Sequence, residues 1–269
     1  VAAHRGNLDG QYLYAALMAE LNPEKEAEYI KQMEEAAEGG SVYALTHYGD
    51  LCNSGDKGVP YDRAKAVEYW RKAADKSFPT ALYYMGYAYH TAMSVDRDDG
   101  LALMYALLAI EREFPRGYRL MGYLHYYGNF LEKDYDKAIE YYEKAVEHSD
   151  YLSLCYIGNV YYNVKERRDN DKAFRYFAQA AEFADRGEII SGLPYSRVAL
   201  CKYYGHGTEQ DIVAAADFAF KGAARNHKNS IENTFQIIIH KFRISIPFMS
   251  MRKRTERQIV SICPFRGFT

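Results

Sequence analysis

Apolar and polar positions along the chain follow a helical period, and that period is itself repeated about every 36 residues. The string GVPYDRAKAVEYWRKAA (58–74) returns in weaker form downstream. A glycine inside an upstream amphipathic stretch keeps the same interval, at Gly49, Gly86, Gly122 and Gly158, with steps of 37, 36 and 36. The stretches around these glycines read YALTHYGDLCNSG (43–55), ALYYMGYAYHTA (81–92), GYRLMGYLHYYG (117–128) and LSLCYIGNVYYN (152–163); SRVALCKYYGHG (196–207) puts Cys201 in the glycine's place. A small residue there lets a paired helix approach closely, which explains a helix-interior glycine that costs about 1 kcal/mol against alanine.

A second set of helices follows an equally regular rule. Asp62, Asp98, Asp134 and Asp169 each stand four residues before an alanine: Ala66, Ala102, Ala138 and Ala173. Aspartate at that place accepts from the free N–H groups of a first helical turn and is expected as an N-cap. The pattern predicts an all-α solenoid of about six antiparallel hairpins, with units near 11–39, 41–77, 79–115, 116–149, 151–186 and 195–227. In the last hairpin the interval stretches to 43 residues, from Ala173 to Ala216, and ADRGEIISGLP (184–194) carries the surplus as a loop. Pro23 is expected early in the second helix of a degenerate first unit. Residues 228–269 lose the repeat phase and read as a C-terminal cap or a basic tail, native or not.

Composition changes this picture in three places. Net charge is −2, yet residues 228–269 carry eight Lys or Arg against two Glu, leaving −8 for residues 1–227; MRKRTERQ in the tail lacks the aromatic interleaving of specific nucleic-acid binding. Tyrosine is abundant, at 27 of 269 residues, and suits half-wet helix faces or inter-repeat gaps. Cys52, Cys155, Cys201 and Cys263 occupy different repeat phases without a CxxC, which favours free thiols and a reducing, cytoplasmic compartment. No apolar run is long enough for a membrane span. The chain opens on Val1, so a preceding segment is expected, and a removed signal peptide would place the protein outside the cytoplasm.

The run YGDLCNSGDKGVPYDRAKAVEYWRKAA (48–74), with MGYLHYYGNFLEKDYDKAIEYYEKAV (121–146) and IGNVYYNVKERRDNDKAFRYFAQAA (157–181), resembles the Sel-one-like repeat, a relative of the tetratricopeptide repeat. The resemblance covers roughly residues 11–227. It implies a right-handed superhelix of helix pairs and a role in holding protein partners, often in bacterial secretion-associated or toxin-neutralising systems. The in-repeat cysteine pair of some exported relatives is missing here.

In such stacks the first helix of each hairpin lines the concave side. One helical stripe, six and three residues before the glycine and one and four after it, is then the candidate partner surface. It includes Tyr43, Asp50, Asn53, Tyr83, Tyr87, His90, Arg116, Arg119, Tyr123, Tyr126, Asn159, Tyr162, Tyr195 and Lys202. These are interface residue types. Arg116 and Arg119 either clamp a carboxylate of an acidic partner segment or pair with local carboxylates. No catalytic or cofactor motif appears, and no metal site is expected: DRDDG (96–100) opens like a calcium loop, but Leu107 stands where the bidentate Glu belongs. The chain is thus expected to be a non-enzymatic adaptor. The alternatives are the regulatory part of an enzyme whose catalytic region lies elsewhere, and a scaffold using its convex face.

Overall fold

Twelve α-helices and no strand occupy residues 7–225, the described part of the chain in the computed structural model. They are α1 (Leu8–Leu21), α2 (Glu26–Glu38), α3 (Val42–Ser54), α4 (Arg63–Ala74), α5 (Pro79–Thr91), α6 (Asp99–Glu111), α7 (Pro115–Tyr127), α8 (Tyr135–Glu147), α9 (Ser153–Asn163), α10 (Asn170–Asp185), α11 (Leu193–Tyr204) and α12 (Ile212–Arg225). Short 3-10 turns at Pro23–Lys25 and Lys165–Arg167 interrupt the connections, so Pro23 opens a turn before α2 rather than α2 itself. The chain divides into two units, Val1–His227 and Lys228–Thr269. The expectation of a cap or basic tail after residue 227, and Cys263 with it, lies outside the described residues.

Many helix ends have a readable cause. The second helices begin at aspartates whose carboxylates accept from Lys65 N at 3.0 Å, Leu101 N at 2.9 Å, Lys137 N at 3.0 Å and Lys172 N at 2.9 Å. A fifth cap, missed in the sequence, is Asp211, which accepts from Ala214 N at 2.9 Å. This shifts the phase of the last hairpin: the alanine four residues beyond the cap is the buried Ala215, one residue earlier than the spacing suggested. Pro79 and Pro115 open α5 and α7 at the position where a missing N–H is harmless. The first helices α3, α7 and α11 end at Gly55, Gly128 and Gly205, all left-handed; α5 ends at Ala92 with φ 55°, a conformation alanine adopts only under constraint.

Within a hairpin, the mid-helix glycine receives a large side chain from the second helix. A Cβ on Gly49 would lie 2.7 Å from Trp70, one on Gly122 2.3 Å from Tyr142, and one on Gly158 2.5 Å from Phe177. The third hairpin solves the same problem differently. Ala106 holds the place of the aromatic, and Leu120 from the next hairpin reaches within 2.5 Å of a Cβ on Gly86. In the last hairpin Cys201 replaces the glycine, and Ala219 stands in register where the others carry an aromatic. Large against nothing has become medium against small.

The hairpins pile up in chain order, each helix packing on its sequence neighbours. Consecutive first helices also touch (α1 on α3, α5 on α7, α9 on α11), whereas no two second helices come equally close among the described residues. The layer of first helices is therefore the shorter, inner side of the stack. Polar ties reach one repeat along the chain: Ser41 Oγ to Asp9, Lys65 to Glu34, Tyr84 to Asp50, Arg119 to Asp150 and Lys221 to Asp185. No helix of the described residues is long and apolar enough to cross a membrane.

Candidate functional site

Aromatic side chains of the first helices form two runs of packed rings. Tyr43 stacks on Tyr12 at 6.3 Å and meets Phe78 edge-on at 5.1 Å. Tyr83 stacks on Tyr87 at 6.1 Å, Tyr87 leans on Tyr123 at 6.2 Å, and Tyr123 meets Tyr156 edge-on at 4.9 Å. Such offset and edge arrangements place the ring quadrupoles favourably and fix the wall without a separate skeleton. Further along, Tyr126 abuts Tyr127 at 5.0 Å, and the Tyr162 hydroxyl lies 2.9 Å from His206 Nδ1.

The four rows of the expected stripe do not share one environment. The row three residues before the glycine is buried in every repeat: Thr46, Tyr83, Arg119, Cys155 and Val198. It lies between hairpins instead of facing out. The row one after the glycine, with Asp50, Tyr87, Asn159 and Lys202, is half-buried, apart from a more deeply set Tyr123. An exposed row five after the glycine, with Ser54, Thr91, Tyr127 and Asn163, was missed. The accessible stripe is thus turned by about one residue, a rotation of roughly 100° that periodicity alone does not fix.

Several expected contacts are already spoken for within the molecule. Arg119 is 4% exposed. It donates from Nη1 to Asp150 Oδ1 at 3.0 Å and from Nη2 to the Tyr83 hydroxyl at 3.1 Å, with the Tyr83 and Tyr156 rings 5.3 and 5.9 Å from its guanidinium carbon. Burial works against its charge, but Tyr83, Asp150 and the neighbouring phenols outweigh it and hold its pKa well above the ordinary value. Its carboxylate is Asp150, within the molecule. Tyr195 is likewise sealed, its hydroxyl donating to Asp185 at 2.8 Å, and Lys202 donates to Thr208 at 2.8 Å. Arg116 is the more open arginine, lying 5.9 Å from both the Tyr83 and Phe114 ring centres.

Asp50 accepts from the Tyr84 hydroxyl at 3.1 Å. Burial raises its pKa to about 6, against the pull of Tyr84, Trp70 and the charge of Arg116. The side-chain oxygens of Asn53 and Asn159 and Nε of Arg197 are buried without a partner. Arg197 was missed in the sequence; its charge acts on Cys155, Tyr126, Tyr162 and Cys201, so it stands among first-helix residues of three hairpins.

Between α5, α7 and α9 the wall opens into a pocket of about 490 Å³, lined by Tyr87, His90, Thr91, Tyr123, Tyr127 and Tyr156 with Ala92, Arg97 and Asn129 at its rim. The DRDDG segment serves this pocket. Asp98 caps α6, and the buried Asp99 accepts from His90 Nδ1 at 2.6 Å and from Arg97 Nε at 3.1 Å. His90 is itself 6% exposed and lies parallel to Tyr123 at 6.2 Å.

Six stacked helical hairpins with a ring-lined inner layer define an α-solenoid of the scaffold class. The Sel1 repeat pattern matches residues 42–78, 79–114, 115–150, 155–182 and 195–227. The chain belongs to the Sel1 repeat family. It is similar in structure to a Sel1 repeat protein from Oxalobacter formigenes (TM-score 0.57, 23% identity, covering 88% of this chain and 67% of that one). It is also similar to a protective antigen present in uropathogenic Escherichia coli strains that displays the same fold (0.52, 20%, covering 91% and 51%). An immunity protein from Pseudomonas aeruginosa matches at 0.50 with 18% identity, covering 82% of each chain. The chain thus spans about two thirds of the first of these and half of the second. At such identities the likeness is one of fold. No curated protein matches the sequence.

Proposed function

We propose that this solenoid is a non-enzymatic scaffold that captures a polypeptide along its inner, tyrosine-lined wall. Sel1 repeats generally mediate protein–protein interaction, and two runs of packed rings, Tyr12–Tyr43–Phe78 and Tyr83–Tyr87–Tyr123–Tyr156, are the observation that supports it here. Rigid phenols supply contact area at low entropic cost and keep a hydroxyl for the partner's backbone. The accessible members of the wall are Tyr43, Tyr87, Tyr126, Tyr127 and Tyr162, with Arg116 and Asp50 between them. A narrower reading, neutralisation of a toxin, draws only on the fold shared with the Pseudomonas immunity protein.

Photo-cross-linking tests the scaffold reading. Benzoylphenylalanine placed at Tyr43 or Tyr127 is expected to cross-link one and the same polypeptide in cells of the source organism. The same probe at Met104, exposed on second helix α6, is expected to give no product. A product from Met104 alone would transfer the interaction to the outer face. Rescue of growth when the captured polypeptide is expressed with this chain, but not without it, would establish the narrower reading.

A further inference from the structure

The pocket between α5, α7 and α9 has a chemistry more specific than a flat aromatic wall. Tyr87, Tyr123, Tyr127 and Tyr156 line it, and Tyr127 is the exposed ring among them. Asp99, an acceptor, holds the Nδ1 proton of His90, so in neutral His90 the other nitrogen, Nε2, carries a lone pair. His90 itself is one of the pocket's lining residues.

Two helices end here. Thr91 and Ala92 close α5, and Tyr127 and Asn129 flank the end of α7, so both carbonyl-rich, partially negative ends lie at the rim. Two nearby cations are paired, Arg97 with Asp99 at 3.1 Å and Arg119 with Asp150 at 3.0 Å, while Arg63, whose charge reaches Tyr87, lies over the Tyr61 ring. Around them, residues 1–227 sum to −8.

We infer that this pocket is a subsite for a cationic side chain, an arginine or lysine of a basic partner segment. Its charge lies against the tyrosine faces and one N–H donates to His90 Nε2. The inference rests on the scaffold reading and gives it a direction opposite to the acidic partner expected from Arg116 and Arg119. The structural reason is that Arg119 is consumed internally, while the exposed Tyr127 ring and His90 line the pocket.

The test uses the full chain and three synthetic peptides, acetyl-Gly-Ser-X-Ser-Gly-amide, with X as arginine, its neutral isostere citrulline, or glutamate. The readout is the ¹⁵N resonance of His90 Nε2. The arginine peptide is expected to shift that resonance saturably, with citrulline at least about tenfold weaker and glutamate without effect. Tyr127→Ala, at a ring 51% exposed, removes one cation–π face and is expected to weaken the arginine peptide about tenfold while the melting curve stays put. Equal binding of citrulline or glutamate, an unmoved His90 resonance with all three peptides, or full affinity in Tyr127→Ala would overturn the inference. A partner cross-linked at Tyr43 that binds Tyr127→Ala undiminished would remove the subsite and leave the scaffold reading standing. Loss of every inner-wall cross-link would remove both.

Discussion

Replacing Arg119 by alanine probes the joint between three consecutive hairpins. Arg119 on α7 reaches back to Tyr83 on α5 and forward to Asp150, whose other oxygen accepts from Ser153 Oγ on α9 at 2.7 Å. Both members of the ion pair are buried, at 5% and 9% side-chain exposure, so removing one strands the other's charge away from water. Breaking such a pair costs about 3–5 kcal/mol. Two features set the value at the low end. Asp150 keeps the Ser153 hydroxyl, and the unpartnered Arg119 Nε disappears with the side chain. The expected loss is about 3 kcal/mol, a large share of the roughly 5–15 kcal/mol that a typical domain has. Urea unfolding followed by far-UV circular dichroism measures it, with the slope checked because stacked repeats can lose cooperativity before they lose structure. A double-mutant cycle with Asp150→Ala isolates the pair, and a coupling of about 2 kcal/mol is expected. Arg116→Ala, whose guanidinium sits over ring faces and acts on Asp50 through its charge without a direct ion pair, is expected to change stability by under about 1 kcal/mol. A loss below about 1 kcal/mol for Arg119→Ala, or negligible coupling to Asp150, would refute the argument that this arginine is structural.

Other consequences are equally open to measurement. Asp50 has a folded pKa of about 6, above its unfolded value of about 3.9, so the folded state holds the proton more tightly. Its contribution is neutral below about pH 4 and becomes a penalty as pH rises through 6, reaching about 2–3 kcal/mol at pH 8. Asp50→Asn should therefore stabilise the protein at pH 8 and not at pH 4, and equal effects at both would show that the carboxylate is not desolvated. Gly122→Ala gains about 1 kcal/mol of helix propensity but drives a methyl to 2.3 Å from the sealed Tyr142 ring, so a net loss of about 1–3 kcal/mol is expected by thermal melting. A raised melting temperature would mean that the ring can move. Burial pushes the thiols of Cys52 and Cys201 up to about 11 and that of Cys155 up to about 12. At pH 8 these three should resist iodoacetamide, as mapped by mass spectrometry, until the protein is unfolded; rapid labelling of Cys155 in the native state would contradict its burial.

The hairpin grammar was legible because its causes are local. A capping aspartate, the alanine four residues on, and a glycine facing a bulky ring all act within one unit, so they recur at fixed spacing. The backbone keeps the same beat: Gly40, Ser77, Glu113 and Ser149 take positive φ at successive junctions. The last hairpin was misphased by one residue because Ala214, Ala215 and Ala216 are indistinguishable without the cap at Asp211. The site was less legible. A stripe read at helical spacing does not say which row touches the next hairpin, and the buried row holding Tyr83 and Arg119 looks, residue for residue, like an interface. Scanning for an opposite charge about one repeat away would have found Asp150 for Arg119, 31 residues on. The His90–Asp99 contact, nine residues apart across a loop, offered no periodic cue.

The ties between hairpins have a mechanical corollary. Side-chain clasps such as Tyr84 to Asp50 and Lys65 to Glu34 grip the adjoining hairpin, and among the described residues the ties are between neighbouring hairpins, with Arg119 joining three in a row. Strain applied at one terminus is shared among the junctions as small rotations, each within the give of a hydrogen bond, and no junction has to open. The array behaves as a leaf spring whose pitch can follow an elongated guest while the glycine–aromatic joints inside each leaf stay shut.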